Sequence, residues 1–371
     1  MKGRKTVLYI IFLIVLMLPL LQALTRLVPE RELTGVYISH ERPSLTVQSW
    51  FDGSFQAAFE PYTNEHLGFH NSMVRLHNLF CLKAFHQINA QNVVLGKENY
   101  LYEQDFIDAY YGTDFIGRDS ILSLVKKTKE LQDLLAAKGK TLVVFLAPSK
   151  ADFFPEYIPD SLKKKETNNT NYKVFSQLLK QNNINVIDYN AYYLSQKKSS
   201  PYPLYPQYGI HWSDYGMVHA TDSLLRYLSQ KCGYNLSKLV IDENTISQKA
   251  QKTDYDLGDL LNLAGKQLRG YPLCYPKWHW EEDTTAPKPH LTVIADSYYW
   301  AIFNMGIQQF CFNGSFWYYN HTVYPESYTT ETITDDLNMK DEIEKTDIFL
   351  IMSTTPSLKK FSWRALDSLL R

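Results

Sequence analysis

Apolar and polar positions in the second half of the chain follow an order that predicts alternating strands and helices. Short apolar runs indicate strands, and longer segments with apolar residues on one face indicate helices. The predicted strands are Thr141 to Ala147, Asn185 to Tyr189, Leu291 to Ala295, Phe316 to Tyr319 and Asp347 to Met352, and the predicted helices are Ser120 to Ala137, Tyr172 to Gln181, Ser213 to Leu228 and Pro356 to Leu370. This order predicts an α/β fold of three layers around a mainly parallel sheet.

The first 25 residues predict a membrane anchor. Lys2, Arg4 and Lys5 precede Thr6 to Thr25, a stretch of twenty residues without a charge. A helix of that length is roughly 30 Å long and matches the hydrocarbon core of a bilayer. A cleaved signal peptide is the alternative, but the end of the run lacks a clear A-x-A cleavage pattern. We therefore expect a single uncleaved transmembrane helix over residues 1–25, with the rest of the chain outside the cytoplasm, periplasmic or extracellular.

Residues 26–115 are predicted to form a spacer and an N-terminal elaboration, and residues 116–371 the main domain. Arg26 to Val47 is polar and loop-like, whereas Trp50 to Leu82 has apolar residues at near-helical spacing. In Asn92 to Glu103 two apolar runs flank a Gly-Lys-Glu-Asn sequence, which predicts a β-hairpin.

Ser229 to Thr285 has mixed polarity and no repeat, so we interpret it as a long irregular excursion. Within it, the acidic segment Asp254 to Asp259 suggests a calcium loop but lacks the spacing of an EF-hand. We interpret that segment as a solvated turn.

Composition excludes several classes of function. The 38 basic and 39 acidic residues give a formal charge of −1, so there is no bulk attraction to nucleic acid. Cys81, Cys232, Cys274 and Cys311 form no C-x-x-C pair, which argues against a zinc site and leaves both disulfides and free thiols open. The chain has no P-loop or dinucleotide fingerprint, so we expect no cofactor and no metal.

The segment HLTVIADSYYW, residues 290–300, places Ser297 just after a predicted strand. In a parallel sheet, functional sites gather at this carboxyl edge, and a serine there is a candidate nucleophile as well as an ordinary helix cap. A nucleophilic serine needs an imidazole to take its proton. His211, in the segment YGIHWSDYG, is the best candidate, because His219 lies inside a predicted helix and His290 begins the strand at the opposite edge.

These residues resemble the SGNH-hydrolase-like proteins of bacterial exopolysaccharide O-acetylation, the AlgX/AlgJ type, and the related DHHW proteins. Ala295-Asp296-Ser297 matches their Gly-Asp-Ser nucleophile turn with alanine in place of glycine, and His211-Trp212-Ser213 matches part of their Asp-x-His-Trp motif. Further matches are Gly96-Lys97, Tyr100-Leu101-Tyr102, Ala147-Pro148-Ser149-Lys150 and Pro155-Glu156-Tyr157-Ile158-Pro159.

The resemblance implies a membrane-anchored, extracytoplasmic O-acetyltransferase that acts on a cell-surface or secreted polysaccharide through an acyl-serine. It implies Ser297, His211 and Asp296 as catalytic residues, with Asp296 also a candidate for fixing the turn, and backbone N–H groups after Ser297 as part of the oxyanion hole. The substrate-binding residues would be Trp212, Tyr298, Tyr299 and Lys150. A membrane-bound O-acyltransferase would supply the acyl group. The alternatives are a carbohydrate acetyl esterase and a non-catalytic glycan-binding or assembly subunit.

One departure from the family pattern affects the candidate base. The position two residues before His211, where the pattern has an acid, is Gly209. Three explanations are open: another acid approaches in the fold, a Ser-His dyad suffices, or catalysis is lost while glycan binding remains. The candidate acids for the first explanation are Asp214, Asp152 and Asp296.

Overall fold

The computed structural model describes residues 2–35, 39–165, 167–282 and 287–371. Strands within these residues form one central sheet and two separate two-stranded sheets. The strands are β1 Val93–Leu95, β2 Leu101–Glu103, β3 Thr141–Leu146, β4 Val186–Asp188, β5 Lys238–Ser247, β6 Leu273–Glu281, β7 Leu291–Ala295, β8 Phe316–Tyr318, β9 Thr322–Tyr324 and β10 Ile348–Ser353.

Helices occur in both halves of the chain. The α-helices are α1 Lys2–Thr25, α2 Val47–Phe51, α3 Ser54–His66, α4 His70–Phe85, α5 Gln104–Tyr111, α6 Arg118–Ala137, α7 Lys150–Phe153, α8 Asn171–Gln181, α9 Tyr189–Gln196, α10 Asp214–Cys232, α11 Asp256–Leu260, α12 Tyr299–Phe303, α13 Ile307–Phe310, α14 Met339–Lys345 and α15 Ala365–Leu369. Short 3₁₀ helices include Lys252–Tyr255 and Thr355–Arg364.

The chain divides into two compact units, Met1–Gln91 with Gly258–Arg269, and Asn92–Leu257 with Gly270–Arg371. Residues 92–115, which we expected in the N-terminal elaboration, therefore pack within the second unit.

The first unit contains α1 to α4. Arg4–Thr25 is long and apolar enough to cross a membrane, and its apolar side chains are mostly exposed. The expected spacer is held by polar side chains: Arg75 donates to the carbonyl of Arg31 at 2.9 Å, and Asn262 donates to the carbonyl of Thr34 at 2.9 Å. Residues 36–38 of the expected spacer lie outside the described residues.

The second unit is built on the central sheet, whose strand order is β4-β3-β10-β7-β8-β9. The first five of these strands run parallel, and β9 pairs antiparallel with β8. Strands β10 and β7 lie at the centre, so their side chains are buried on both faces. The predicted α/β fold with a mainly parallel central sheet is confirmed.

Side-chain alternation along the strands creates the two outer layers. On β3, Leu142, Val144 and Leu146 belong to a buried cluster shared with α6, α8 and α15. The next residues face the other way, where Phe145 stacks on Tyr189 of α9 with ring centroids 5.4 Å apart. Helices on both faces cover the sheet, as its apolar strands require.

Two sequence interpretations are wrong. Pro356 to Leu370 is not one helix, because Ser362, Trp363 and Arg364 have positive φ angles, and only α15 is α-helical. The excursion from Ser229 to Thr285 contains the antiparallel pair β5 and β6. A register shift between Ile241 and Glu243 breaks the alternation on which a strand prediction depends. Residues 283–285 of the excursion lie outside the described residues.

The hairpin predicted over Asn92 to Glu103 is confirmed as the antiparallel pair of β1 and β2. The helical pattern from Trp50 to Leu82 corresponds to the end of α2, α3 and most of α4.

We predict that Ile351→Ala lowers the free energy of unfolding of the second unit by about 2–5 kcal/mol, because it leaves a cavity beside fully buried side chains. Urea unfolding of the full chain in detergent, followed by tryptophan fluorescence, measures this change. Lys129→Ala, which removes only an exposed ion pair with Asp133, is the control and should change stability by less than about 1 kcal/mol. Equal effects of the two variants would contradict the described core.

Candidate active site

His211 lies on the irregular segment that leads into α10. Ser213 caps this helix by accepting a hydrogen bond from the N–H of Gly216 at 3.1 Å, and its hydroxyl donates to the carbonyl of Pro203 at 2.7 Å. The cap fixes the point at which the chain enters the helix. It therefore also limits where the imidazole two residues earlier can lie.

Ser297 follows β7 at the carboxyl edge of the sheet, and Asp296 holds the turn that presents it. One carboxylate oxygen of Asp296 accepts the N–H and the hydroxyl of Thr354 at 2.8 and 2.7 Å. The other oxygen accepts the N–H of Tyr298 at 3.2 Å. Thr354 follows β10, so Asp296 joins the ends of two neighbouring strands. These bonds are those of a residue that fixes the turn, the second of the two roles expected for Asp296.

The structure brings Ser297 and His211 together and adds an acid that the sequence analysis did not select. Nε2 of His211 lies 3.3 Å from Oγ of Ser297, and Nδ1 lies 2.6 Å from Oδ2 of Asp256. Oδ1 of Asp256 accepts the N–H of Ile210 at 2.9 Å, so one carboxylate holds both the ring and the backbone beside it. Serine, imidazole and carboxylate in this order form the arrangement of a nucleophile, a base and an orienting acid.

Asp256 lies within the acidic segment that we interpreted as a solvated turn, and that interpretation is wrong. Asp254 is only 2% exposed, and Asp256 faces His211. Lys252 anchors the turn by an ion pair of 2.5 Å with Asp214. The sequence signal for this role was present only indirectly, as an acidic cluster in a chain that lacks the expected acid before its histidine.

The other candidate acids have different partners. Asp214 pairs with Lys252, and Asp152 lies 3.4 Å from the amide of Asn190. Burial raises the pKa of Asp152 to about 6, with hydrogen bonds from Ser149 and Asn190 acting against it. Neither acid is hydrogen-bonded to His211.

Opposing effects set the pKa of His211. Burial disfavours the imidazolium and lowers the pKa, but the hydrogen bond and charge of Asp256 raise it, with smaller contributions from Glu103 and Asp296. The net result is a pKa above the ordinary value for histidine. The same two effects act on Glu103 with opposite signs. Burial raises the pKa of Glu103 to about 7, and the charge of His211 lowers it. Sequence reasoning missed Glu103, which at the end of a predicted hairpin carries no distinguishing signal.

Two cavities meet at the Ser297 and His211 pair. One, of about 430 Å³, has mixed walls that include Glu103, Lys359 and Trp363. The other, of about 470 Å³, has a predominantly apolar surface that includes Trp212, Met217, Trp278, Trp300 and Met305, and Asp214, Lys252 and Asp254 also line it. A group attached to Ser297 can therefore be approached from two sides.

The residues predicted to bind substrate lie in different surroundings. Trp212 lines the apolar cavity, and Tyr298 lines the mixed one while its hydroxyl donates to the carbonyl of Ile210 at 2.6 Å. Tyr299 is fully buried against Phe316, with ring centroids 4.9 Å apart. Lys150 is also fully buried, and its amine donates to the carbonyl of Gly209 at 2.6 Å. Tyr299 and Lys150 are thus not among the residues that line these two cavities.

The backbone donors expected after Ser297 are engaged within the turn. The N–H groups of Tyr299 and Trp300 donate to the carbonyls of Asp296 and Ser297, at 3.3 and 3.2 Å, and that of Tyr298 donates to Asp296. The side chain of Tyr319, in contrast, lines the mixed cavity together with Ser297. Tyr319 is held there by its N–H, which donates to the carbonyl of Ala295 at 2.9 Å.

No group of three or more His, Cys, Asp or Glu side chains among the described residues is placed to hold a metal ion. All four cysteines are described, and each is a free thiol.

A serine at the end of a central parallel strand, with a histidine supplied from an earlier segment, defines this chain as an SGNH-hydrolase-like protein. The chain belongs to the family described as SGNH hydrolase-like domain, acetyltransferase AlgX, which matches residues 93–294. His211 and Asp256 lie inside the matched residues, and Ser297 lies just beyond them.

Comparison with solved structures finds chains with a similar fold. The O-acetyltransferase domain of Pseudomonas putida AlgJ is 16% identical, with a TM-score of 0.48 and coverage of 75% of this chain and 99% of that one. Bacillus cereus PatB1 with a sulfonyl adduct is 12% identical, with a TM-score of 0.47 and coverage of 74% and 99%. Pseudomonas aeruginosa AlgX is 13% identical, with a TM-score of 0.44 and coverage of 74% and 66%. Comparison with curated proteins finds no match.

We predict that Asp256→Asn lowers the pKa of His211, because the largest contribution that favours the imidazolium is removed while the desolvation remains. Histidine ring signals in NMR titrations of selectively labelled protein measure it, with His211→Gln assigning the signal. The signal of His219, whose pKa is lowered mainly by burial, is the internal control and should not change. An unchanged pKa of His211 would show that Asp256 does not hold the ring in solution.

Proposed function

We propose that this chain is a membrane-anchored, extracytoplasmic O-acetyltransferase that transfers acetyl groups to a polysaccharide through an acyl-enzyme on Ser297. The observation that carries the proposal is the hydrogen-bonded order Ser297, His211, Asp256, with distances of 3.3 and 2.6 Å. Membership of the AlgX acetyltransferase family supports acetyl as the group transferred. The apolar helix Arg4–Thr25 supports the anchor, with a signal sequence as the alternative.

In the first half of the reaction, Oγ of Ser297 bonds to the carbonyl carbon of the acetyl donor while its proton passes to Nε2 of His211. The bond between the carbonyl carbon and the leaving oxygen then breaks, and the imidazolium gives its proton to that oxygen. Asp256 stabilises the imidazolium and keeps Nδ1 protonated, so that Nε2 is the nitrogen that faces Ser297.

In the second half, a sugar hydroxyl replaces the leaving group. Its proton passes to His211 as its oxygen bonds to the acetyl carbon, and the bond to Oγ breaks with return of the proton to Ser297. The two cavities that meet at Ser297 support separate approaches for donor and acceptor. A membrane-bound O-acyltransferase would be the source of the acetyl group.

The hydroxyl of Tyr319 is our candidate donor to the negative oxygen of the tetrahedral intermediate. Its side chain lines the mixed cavity together with Ser297, whereas the N–H groups that follow Ser297 are hydrogen-bonded within the turn. A donor fixed in advance at the position where charge develops lowers the barrier most.

A carbohydrate esterase would use the same three residues, with water in place of the sugar hydroxyl. Product analysis separates the two activities, because an esterase releases acetate and leaves no acetylated glycan. The non-catalytic hypothesis was motivated by Gly209, and Asp256 weakens that motive by supplying a carboxylate to His211.

We expect the full chain in detergent to form an acetyl adduct on Ser297 when mixed with 4-nitrophenyl acetate, as detected by intact mass and peptide mapping. Ser297→Ala should abolish the adduct and lower turnover by about 10³-fold or more. Ser195→Ala, at an exposed serine of α9, is the control. A folded wild type with neither adduct nor turnover would overturn the proposed chemistry.

The pH dependence of this turnover follows from the base role of His211. Neutral imidazole is needed to take the serine proton, so the rate should rise with pH through the raised pKa of His211. The midpoint should therefore lie above that of ordinary histidine. A rate that falls over that range would exclude His211 as the base.

For the oxyanion donor, we predict that Tyr319→Phe lowers kcat by about 10²-fold with little change in KM, since the hydrogen bond strengthens only in the transition state. Tyr328→Phe removes an exposed hydroxyl and is the matched control. If kcat of Tyr319→Phe equals that of the wild type, the Tyr319 hydroxyl is not the oxyanion donor and other groups form the oxyanion hole.

A further inference from the structure

Gly209 occupies a position where no side chain fits. A Cβ atom built there would lie 2.7 Å from the carbonyl oxygen of Thr253, 2.9 Å from Cγ of Pro206 and 3.0 Å from the carbonyl carbon of Asp254. The neighbours from Thr253 and Asp254 are backbone atoms, so they cannot move aside as the end of a flexible side chain can. Gly209 is therefore required by close packing against the turn from Lys252 to Asp256.

That same turn delivers the acid of the site. Its start is tied by the N–H of Gln251, which donates to the hydroxyl of Tyr275 at 2.9 Å, and by the ion pair of Lys252 with Asp214. Its end places Asp256 on the ring of His211 and on the N–H of Ile210. A displacement of Thr253 or Asp254 would move the carboxylate away from the imidazole.

Lys150 holds the same segment of backbone by a different contact. Its amine donates to the carbonyls of Gln207 and Gly209 at 2.9 and 2.6 Å. The amine also lies over the rings of Tyr102 and Tyr100, 5.5 and 5.9 Å from their centroids. Because the side chain of Lys150 is fully buried, these contacts hold its amine in one position. The amine in turn holds the carbonyl of Gly209.

We propose that the acid of this site is supplied by the turn Lys252–Asp256 and no longer by the position two residues before His211, and that Gly209 and Lys150 are the positioning residues that permit this exchange. The missing side chain of Gly209 admits the turn, and the amine of Lys150 holds the backbone against it. The inference rests on the proposed role of Ser297 and His211. It adds that the two positions for the acid exclude each other, because a carboxylate at residue 209 would occupy the space of the turn.

The test compares Gly209→Ala with Gly270→Ala in the full chain in detergent, using 4-nitrophenyl acetate. An alanine at residue 270 would meet Gln207 and Tyr208 at ordinary distances of 3.4 Å or more, so Gly270→Ala is the matched control. We expect Gly209→Ala to lower kcat by about 10²-fold, as a small misplacement of a catalytic group does. We also expect its pH profile to shift towards lower pH, as in Asp256→Asn, because His211 loses the contact that raises its pKa.

A double-mutant cycle separates positioning from general damage to the fold. In the Asp256→Asn background, Gly209→Ala and Lys150→Met should each change kcat little, because the carboxylate that they position is gone. The same fold-change in both backgrounds, with no shift of the pH profile, would overturn the proposal. Thermal unfolding checks that each variant is folded. If Gly209→Ala does not fold, the cycle of Lys150→Met with Asp256→Asn tests the proposal in its place.

Gly209→Asp tests whether the two positions for the acid exclude each other. Placed in Asp256→Asn, it restores an acid at the position of the family pattern, and we expect no recovery of turnover. Recovery to near the wild-type rate would show that the two positions are compatible and would refute the exclusion. Absence of the acetyl adduct in the wild-type protein would instead refute the proposed function. Failure of the exclusion and failure of the proposed function are therefore distinguishable.

Discussion

The site depends on the hydrogen bonds that hold one irregular segment, Gln207 to His211. Backbone groups of a buried segment without secondary structure need partners from elsewhere in the fold. Here side chains from distant parts of the sequence provide them: Lys150 for the carbonyls of Gln207 and Gly209, Tyr298 for the carbonyl of Ile210, and Asp256 for the N–H of Ile210. The position of the imidazole is thus fixed by groups that also form the rest of the site.

This arrangement couples Ser297, the proposed nucleophile, to His211, the proposed base, through the backbone. Tyr298 follows Ser297 directly, its ring lies 4.8 Å from that of His211, and its hydroxyl reaches the segment that carries His211. Asp296 in turn ties the nucleophile turn to the end of β10. In the proposed reaction, pre-organisation of this kind would let Ser297 and His211 act with little rearrangement.

The sequence was sufficient for the five parallel strands of the central sheet, but not for the short edge strand β9, because the signals of those five are local. Runs such as Leu291 to Ala295 are apolar throughout, as strands buried on both faces are. Ser297 and His211 could be selected because Ser297 follows a predicted strand and His211 comes just before a predicted helix. Asp256 could not, because it is 45 residues away from His211 in sequence and only the tertiary fold brings them together. The β5 and β6 pair was missed for a different reason, since a bulge interrupts its alternation. Lys150 was selected as a binding residue, yet its complete burial depends on packing that no local pattern records.

The contact of Gly209 with Thr253 and Asp254 has a consequence for how such proteins are sorted. A survey that accepts a chain as active only if an acid stands two residues before the histidine would classify this protein as a pseudoenzyme. The structure does not support that classification, because a carboxylate from another segment, that of Asp256, lies at His211. Glycine at that position, together with an acidic residue in the stretch between the histidine and the serine, is a pattern by which other chains of this design can be sought.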